Sequence, residues 1–211
     1  MAFGTQGKKT FLVMTAALAL GLIGALFTGV QQQAYGKETG FTWFGKRASK
    51  VQVFFVSDWF CSYCRKAEPV IESLAPAVGK VAKYTFLDMP VHRESLEYIP
   101  FHLSILESDK RKYFEGRKAL MELAATTKNP EVHEVRKVMA KHGINNFQMA
   151  DFASVAQASN EAITLLRKYG VRMTPSVLIV NEETKEKRVL SGLNEIQEPY
   201  IIAAIHSLER K

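Results

Sequence analysis

Apolar and polar positions fall into distinct textures along the chain. Thr10 to Val30 is an unbroken uncharged run, mostly Leu, Ala, Gly, Val, Ile and Phe. Val51–Val56 (VQVFFV), Lys83–Asp88 (KYTFLD) and Ser176–Val180 (SVLIV) are rich in β-branched and aromatic residues and predict strands. A polar turn, Asn181–Glu186, leads into Lys187–Leu190 and predicts a hairpin, and Phe41–Phe44 predicts a short edge strand. Elsewhere apolar residues recur at three and four. Cys61 to about Val78 reads as a helix with Val70, Ile71, Leu74 and Val78 on one face, and Pro69 and Pro76 are placed to kink or break it. Further helices are expected at roughly 93–107, 109–127, 130–142, 146–156 and 159–169, with Gly143 and Gly170 as stops. Asn194–Leu208 closes the chain with Ile201, Ile205 and Leu208 on one face.

The order is strand, helix, strand, helical block, strand, strand, helix. Strand–helix–strand units imply parallel pairing and the closing hairpin adds antiparallel strands, so the fold class is α/β. The expected organisation is a cytoplasmic tail at 1–9, a transmembrane anchor or signal segment at 10–30 and a polar linker at 31–50. A single domain then fills 51–211, with a helical insertion at about 93–169.

The N-terminal run follows Lys8-Lys9. At about 1.5 Å per residue it is long enough to cross a hydrocarbon core, and it exceeds the roughly 7–15 residues of a signal-peptide core. Cleavage after Ala34 would put Gln32 where a small side chain is preferred. The expectation is an uncleaved anchor with the bulk of the chain on the periplasmic side; cleavage would instead leave a periplasmic protein starting near Tyr35. Ala17, Gly21, Ala25 and Gly29 recur every four residues, a stripe along which two anchors can pack as a homodimer, although small residues are common in apolar export segments.

Charge changes this picture little. The net charge of +7 includes the two leading lysines, and the other basic residues interleave with acids. No nucleic-acid motif is present, and nucleic acid is not an expected partner. Lys110-Arg111-Lys112 with Arg117-Lys118 reads as a solvated basic helix face.

Cysteine usage changes it a great deal. The only two cysteines form one C-x-x-C, Cys61-Ser62-Tyr63-Cys64, with none left for a zinc knuckle or a disulfide scaffold. His92, His102, His133, His142 and His206 are scattered, so no metal site and no cofactor is expected. The motif sits between a predicted strand and a predicted helix, which puts the sulfurs almost one turn apart on one face. At a helix start, unpaired N–H groups and the helix dipole stabilise a thiolate, making Cys61 the nucleophile and Cys64 the resolving thiol. A structural disulfide would close only a tiny loop and stabilise little. Asp58 and Glu68 are candidates for tuning the thiols, against their ordinary roles as turn former and solvated helix residue. Trp59, Phe60 and Tyr63 are candidates for an apolar rim that receives flexible substrates, with core packing the competing role for Trp59 and Phe60.

The stretch VQVFFVSDWFCSYCRKAEP, followed much later by GVRMTPSVLIV, resembles the thioredoxin superfamily, and the helical block between them resembles its DsbA-type exported oxidoreductases. The resemblance covers about residues 50–210. It implies a thioredoxin-like fold, a cis Thr174–Pro175 bond facing the cysteines, and substrate backbone bound by Thr174 and Pro175. Pro69 matches a helix-kinking proline of that family. The implied partners are exported proteins bearing thiols or disulfides and an unidentified membrane redox partner. Tyr63 stands where strongly oxidising members carry histidine, and with Thr174 it is more similar to exported isomerases and reductases. A dithiol oxidase is the leading expectation. A membrane-anchored reductase or isomerase is the alternative within the same chemistry, and a chaperone-like binding module with incidental cysteines is the alternative outside it.

Overall fold

In a computed structural model of the chain, the described residues are Met1 and 40–210. The expected anchor at 10–30 and its small-residue stripe lie outside them. Among the described residues no helix is long and apolar enough to cross a membrane.

Five strands form one mixed sheet in the order β1-β3-β2-β4-β5: β1 Phe44–Gly45, β2 Val51–Ser57, β3 Lys83–Asp88, β4 Ser176–Asn181 and β5 Lys187–Ser191. β2 and β3 are parallel, from Gln52↔Lys83 to Ser57↔Asp88. β4 lies antiparallel on the other side of β2, and β5 pairs antiparallel with β4. The central strands are buried on both faces, which is why β2 and β4 read as nearly continuous apolar runs.

Alternation along β2 divides the core. Val51, Val53 and Phe55 point to one face and join residues of α1 (Ser62–Val81) and α6 (Glu198–Glu209). Phe54 and Val56 point to the other and pack with Ala162, Leu166 and Tyr169 of α5 (Phe152–Tyr169). Between β3 and β4 the chain forms 3₁₀ turns at Arg93–Tyr98 and Lys110–Lys112 and the helices α2 (Ile99–Glu107), α3 (Tyr113–Ala124), α4 (Val132–Lys141) and α5, with no strand.

Several expectations change. α1 runs unbroken through Pro69 and Pro76. Both prolines sit on the exposed side, where a helix tolerates longer hydrogen bonds, while Cys64, Ala67, Ile71, Leu74, Ala75 and Val78 form the buried side. The two helices expected at 146–156 and 159–169 are one helix, started by Asp151 accepting from Ser154 N and stopped at Gly170 with φ +72°. Trp43 and Phe44, inside the stretch read as linker, are buried, and β1 pairs with Tyr84 and Lys83. An apolar pair beside the open edge of β3 gains more by covering it than by remaining in water.

Candidate active site

The site is built where β2 ends and α1 begins. Cys61 is the N-cap of α1, with φ −71° and ψ 119°. A single carboxylate shapes the turn before it. Asp58 Oδ1 accepts from Phe60 N at 2.9 Å and Cys61 N at 2.8 Å. Its Oδ2 accepts from Val91 N at 2.7 Å and His92 N at 2.9 Å, and His92 Nδ1 lies 2.9 Å from Oδ1. Asp58 therefore clamps the cysteine turn to the loop that follows β3. It is buried, as a carboxylate with this many donors can be.

The two cysteines are free thiols in unequal surroundings. Cys61 is 9% exposed and Cys64 fully buried. Burial works against ionisation of Cys61. The backbone N–H of Cys64, the Thr174 side chain, the Cys64 thiol and the backbone N–H of Tyr63 outweigh it and hold the thiol below its ordinary range. Burial pushes the Cys64 thiol up to about 11, against hydrogen bonds from the Thr174 side chain, Asp58 N and the Ser57 side chain. The Asp58 N–H donates to Cys64 Sγ at 3.4 Å.

The Thr174–Pro175 bond is cis. The loop carrying it, just before β4, reaches the cysteines: Cys61 Sγ donates to Thr174 O at 3.6 Å. Tyr63, Met173, Thr174 and Pro175 line a shallow cleft of about 320 Å³ with Ser191, Gly192, Leu193 and Asn194. The β5–α6 loop in this wall was not singled out in the sequence; its only local sign is the turn-forming Gly192-Leu193-Asn194 after a strand.

The remaining candidates separate. Tyr63 is 60% exposed beside the cysteines, and Met173 and Val91 are further exposed apolar side chains on the two flanking loops. Trp59 is not at the rim. It is 1% exposed, stacked on Tyr98 at 5.9 Å between centroids, because the turn directs it into the core under the insertion. Phe60 is half-buried, edge-on to Tyr98. Neither carboxylate meets a thiol through its side chain: Asp58 clamps the loops, and Glu68 turns away from the sulfurs to pair with Arg117. Arg117 itself is buried rather than part of a solvated basic face, while Lys118, the next residue, pairs with Glu72 at 2.8 Å near the surface.

A cysteine that caps a helix, a second one turn on and a cis-proline loop across from them, all on a mixed sheet, define a thioredoxin-fold dithiol protein. The thioredoxin family profile matches residues 37–197, and the chain belongs to that family. Its fold is similar to that of the catalytic domain of Proteus mirabilis ScsC, with a TM-score of 0.60 and 16% identity over 83% of this chain and 92% of that one. It is similar also to the thiol-disulfide exchange protein alpha-DsbA2 of Wolbachia pipientis, with a TM-score of 0.58 and 20% identity over 81% and 88%. A periplasmic thioredoxin-like protein of Salmonella enterica serovar Typhimurium gives 0.59 and 15% over 83% and 93%. Comparison with curated protein sequences gives no match.

Proposed function

We propose that the protein is a thiol–disulfide oxidoreductase that works as a dithiol oxidase on exported proteins. The observation that carries this reading is the geometry of the pair: Cys61 caps α1 opposite the cis Thr174–Pro175 bond and is held below its ordinary range, while Cys64 is fully buried behind it. A stabilised Cys61 thiolate favours the reduced form of the pair, so the disulfide form is an oxidant that readily gives its bond away. A substrate thiolate attacks Cys61 Sγ, the Cys61–Cys64 bond breaks, and its electron pair leaves on Cys64, which takes up a proton. A second substrate thiolate then attacks the substrate sulfur of the mixed disulfide. The substrate disulfide forms and Cys61 leaves as a thiolate. Two substrate thiols are oxidised and one protein disulfide becomes a dithiol, which a membrane redox partner reoxidises.

Tyr63, Met173 and Val91 offer apolar contact to an unfolded or flexible chain, and Thr174 and Pro175 border the cleft in which its backbone would lie. Residues 10–30 tether the domain to the cytoplasmic membrane with its site on the periplasmic side; the apolar run after Lys8-Lys9 supports this, as does the likeness to a periplasmic protein. The test is equilibration of the protein with glutathione buffers while a thiol peptide is followed. The oxidase reading expects rapid exchange, loss of exchange in Cys61→Ser, and a potential well above that of thioredoxin, about −270 mV. A potential at or below that value reverses the direction of electron flow to a reductase.

A further inference from the structure

Arg117 belongs to α3 of the helical block, yet it touches both flanks of the C-x-x-C. Its side chain is 1% exposed. Nη2 donates to Glu68 Oε2 at 2.8 Å and Nε donates to Glu68 Oε1, so the guanidinium fork holds the carboxylate four residues after Cys64. Its carbon lies 5.2 Å from the ring centre of Trp59, two residues before Cys61. The rings of Phe86 at 5.0 Å and Tyr113 at 5.8 Å complete an aromatic box. Nη1 donates to Tyr113 Oη at 3.1 Å and lies 3.2 Å from His102 Nε2, while His102 Nδ1 lies 2.6 Å from Asp88 Oδ2. A guanidinium only donates, so this network assigns His102 Nε2 as acceptor and Nδ1–H as donor to Asp88.

We propose that Arg117 is a positioning residue for the nucleophile: through one guanidinium the helical insertion fixes the first two turns of α1 against the turn that precedes Cys61. The proposal rests on the thiol–disulfide reading of the site. The Cys61 sulfur is stabilised by N–H groups of Tyr63 and Cys64, which belong to the first of these turns, and their aim depends on how α1 leaves the Asp58–Phe60 turn. Trp59 lies in the turn and Glu68 on the second turn of the helix, and Arg117 is the side chain that meets both. The groups that face Cys61 directly are the Cys64 thiol on α1, the Asp58 carboxylate on its N–H with His92 behind it, and the carbonyl and side chain of Thr174 on the loop before β4; all are chemically untouched by changes at Arg117. A buried ion pair is weak support for stability as such, because apolar residues of similar volume often replace both partners without loss. What such residues do not reproduce is a planar fork whose edge pairs with a carboxylate while its charged carbon lies over an indole ring.

The test is the pH profile of Cys61 alkylation in the reduced full-length protein, followed by mass spectrometry beside thermal unfolding. The variants are Arg117→Lys, which keeps charge and loses the fork, Arg117→Met, and the double variant Glu68→Leu/Arg117→Met, which leaves no buried charge unpaired. All three are expected to move the profile upward and to slow alkylation at neutral pH by roughly threefold or more, the effect of about half a pH unit. The double variant is expected to recover stability without recovering the profile. A wild-type profile in folded Arg117→Met or in the double variant overturns the positioning role and leaves the site reading intact. Loss of the fold in both assigns Arg117 to stability alone and overturns it too. An ordinary thiol profile in the wild type overturns the reading of the site, and Arg117's role with it.

Discussion

The sulfur of Cys61 lies 3.6 Å from the carbonyl oxygen of Thr174, more than a hundred positions later in the chain. The sheet makes this meeting. β2 delivers the cysteine turn and β4 begins beside it, with Val56 opposite Ser176. As a thiol, Cys61 donates to that carbonyl. As a thiolate it loses the donor, and the backbone N–H groups of α1 with the Thr174 side chain stabilise the sulfur instead.

Thr174→Val tests the side-chain part of that statement. The Thr174 side chain lowers both thiols, so its hydroxyl's loss is expected to raise the pKa of each. Cys61 should then be alkylated more slowly at neutral pH, with a stability loss of about 0.5–1.5 kcal/mol, that of one hydrogen-bonding hydroxyl. An unchanged rate at Cys61 contradicts the assignment.

Asp58→Ala tests the clamp. It removes the acceptor of four backbone N–H groups and of the His92 ring. Leaving such donors unsatisfied is expected to cost about 3–5 kcal/mol in denaturant unfolding, with Asp58→Asn intermediate. A loss under about 1 kcal/mol would mean that water replaces the carboxylate freely.

Cys64 gives the reduced protein a pH dependence whose sign follows from its raised thiol. In the unfolded chain a cysteine ionises near pH ~8.5, whereas Cys64 keeps its proton up to about 11. Between these values the unfolded state binds fewer protons, so the stability is fully present below the lower value and is lost as pH rises through the upper one. Cys61, lowered in the fold, acts oppositely: its contribution is present above the unfolded value and is lost as pH falls through the folded one. Urea midpoints of the reduced protein should therefore fall more steeply above pH ~8.5 than those of Cys64→Ala. Parallel curves would deny the burial of Cys64 an energetic role.

Gly45 tests whether β1 is part of the fold. It has φ +73°, and a Cβ there would meet Ala82 O at 2.6 Å and Gly79 Cα at 2.7 Å. Backbone strain and the clash together are expected to cost Gly45→Ala about 2 kcal/mol or more. A neutral substitution would mean that β1 docks only loosely.

Much of the fold could be read from local texture. β3 spans Lys83–Asp88 as its alternation predicts, and β2 and β4 each extend one residue past their apolar runs, because central strands are selected for burial on both faces. Helix ends were less legible. The texture places a gap between helices at 157–158, but the true start of α5 is the Asp151–Ser154 cap, and those two positions lie within the helix. Arg117 and Lys118 looked alike in sequence, yet neighbours on a helix point about 100° apart, which sends one into the core with Tyr113 four positions earlier and the other outward. Trp59 carried no local sign of direction; the insertion packed over it decides its burial. The clamp between Asp58 and the Val91–His92 loop joins residues 33 and 34 positions apart, and only the parallel pairing of β2 with β3 brings them together.

That Cys61 carries the mixed disulfide with substrate, with Cys64 buried behind it, is tested most directly by trapping such adducts in cells producing Cys64→Ser or Cys61→Ser. Substrate adducts on Cys61 that collapse on reduction are expected in Cys64→Ser, and none in Cys61→Ser, because the remaining thiol there is fully buried and pushed up to about 11. Equal trapping by both variants, or adducts only in Cys61→Ser, would contradict it.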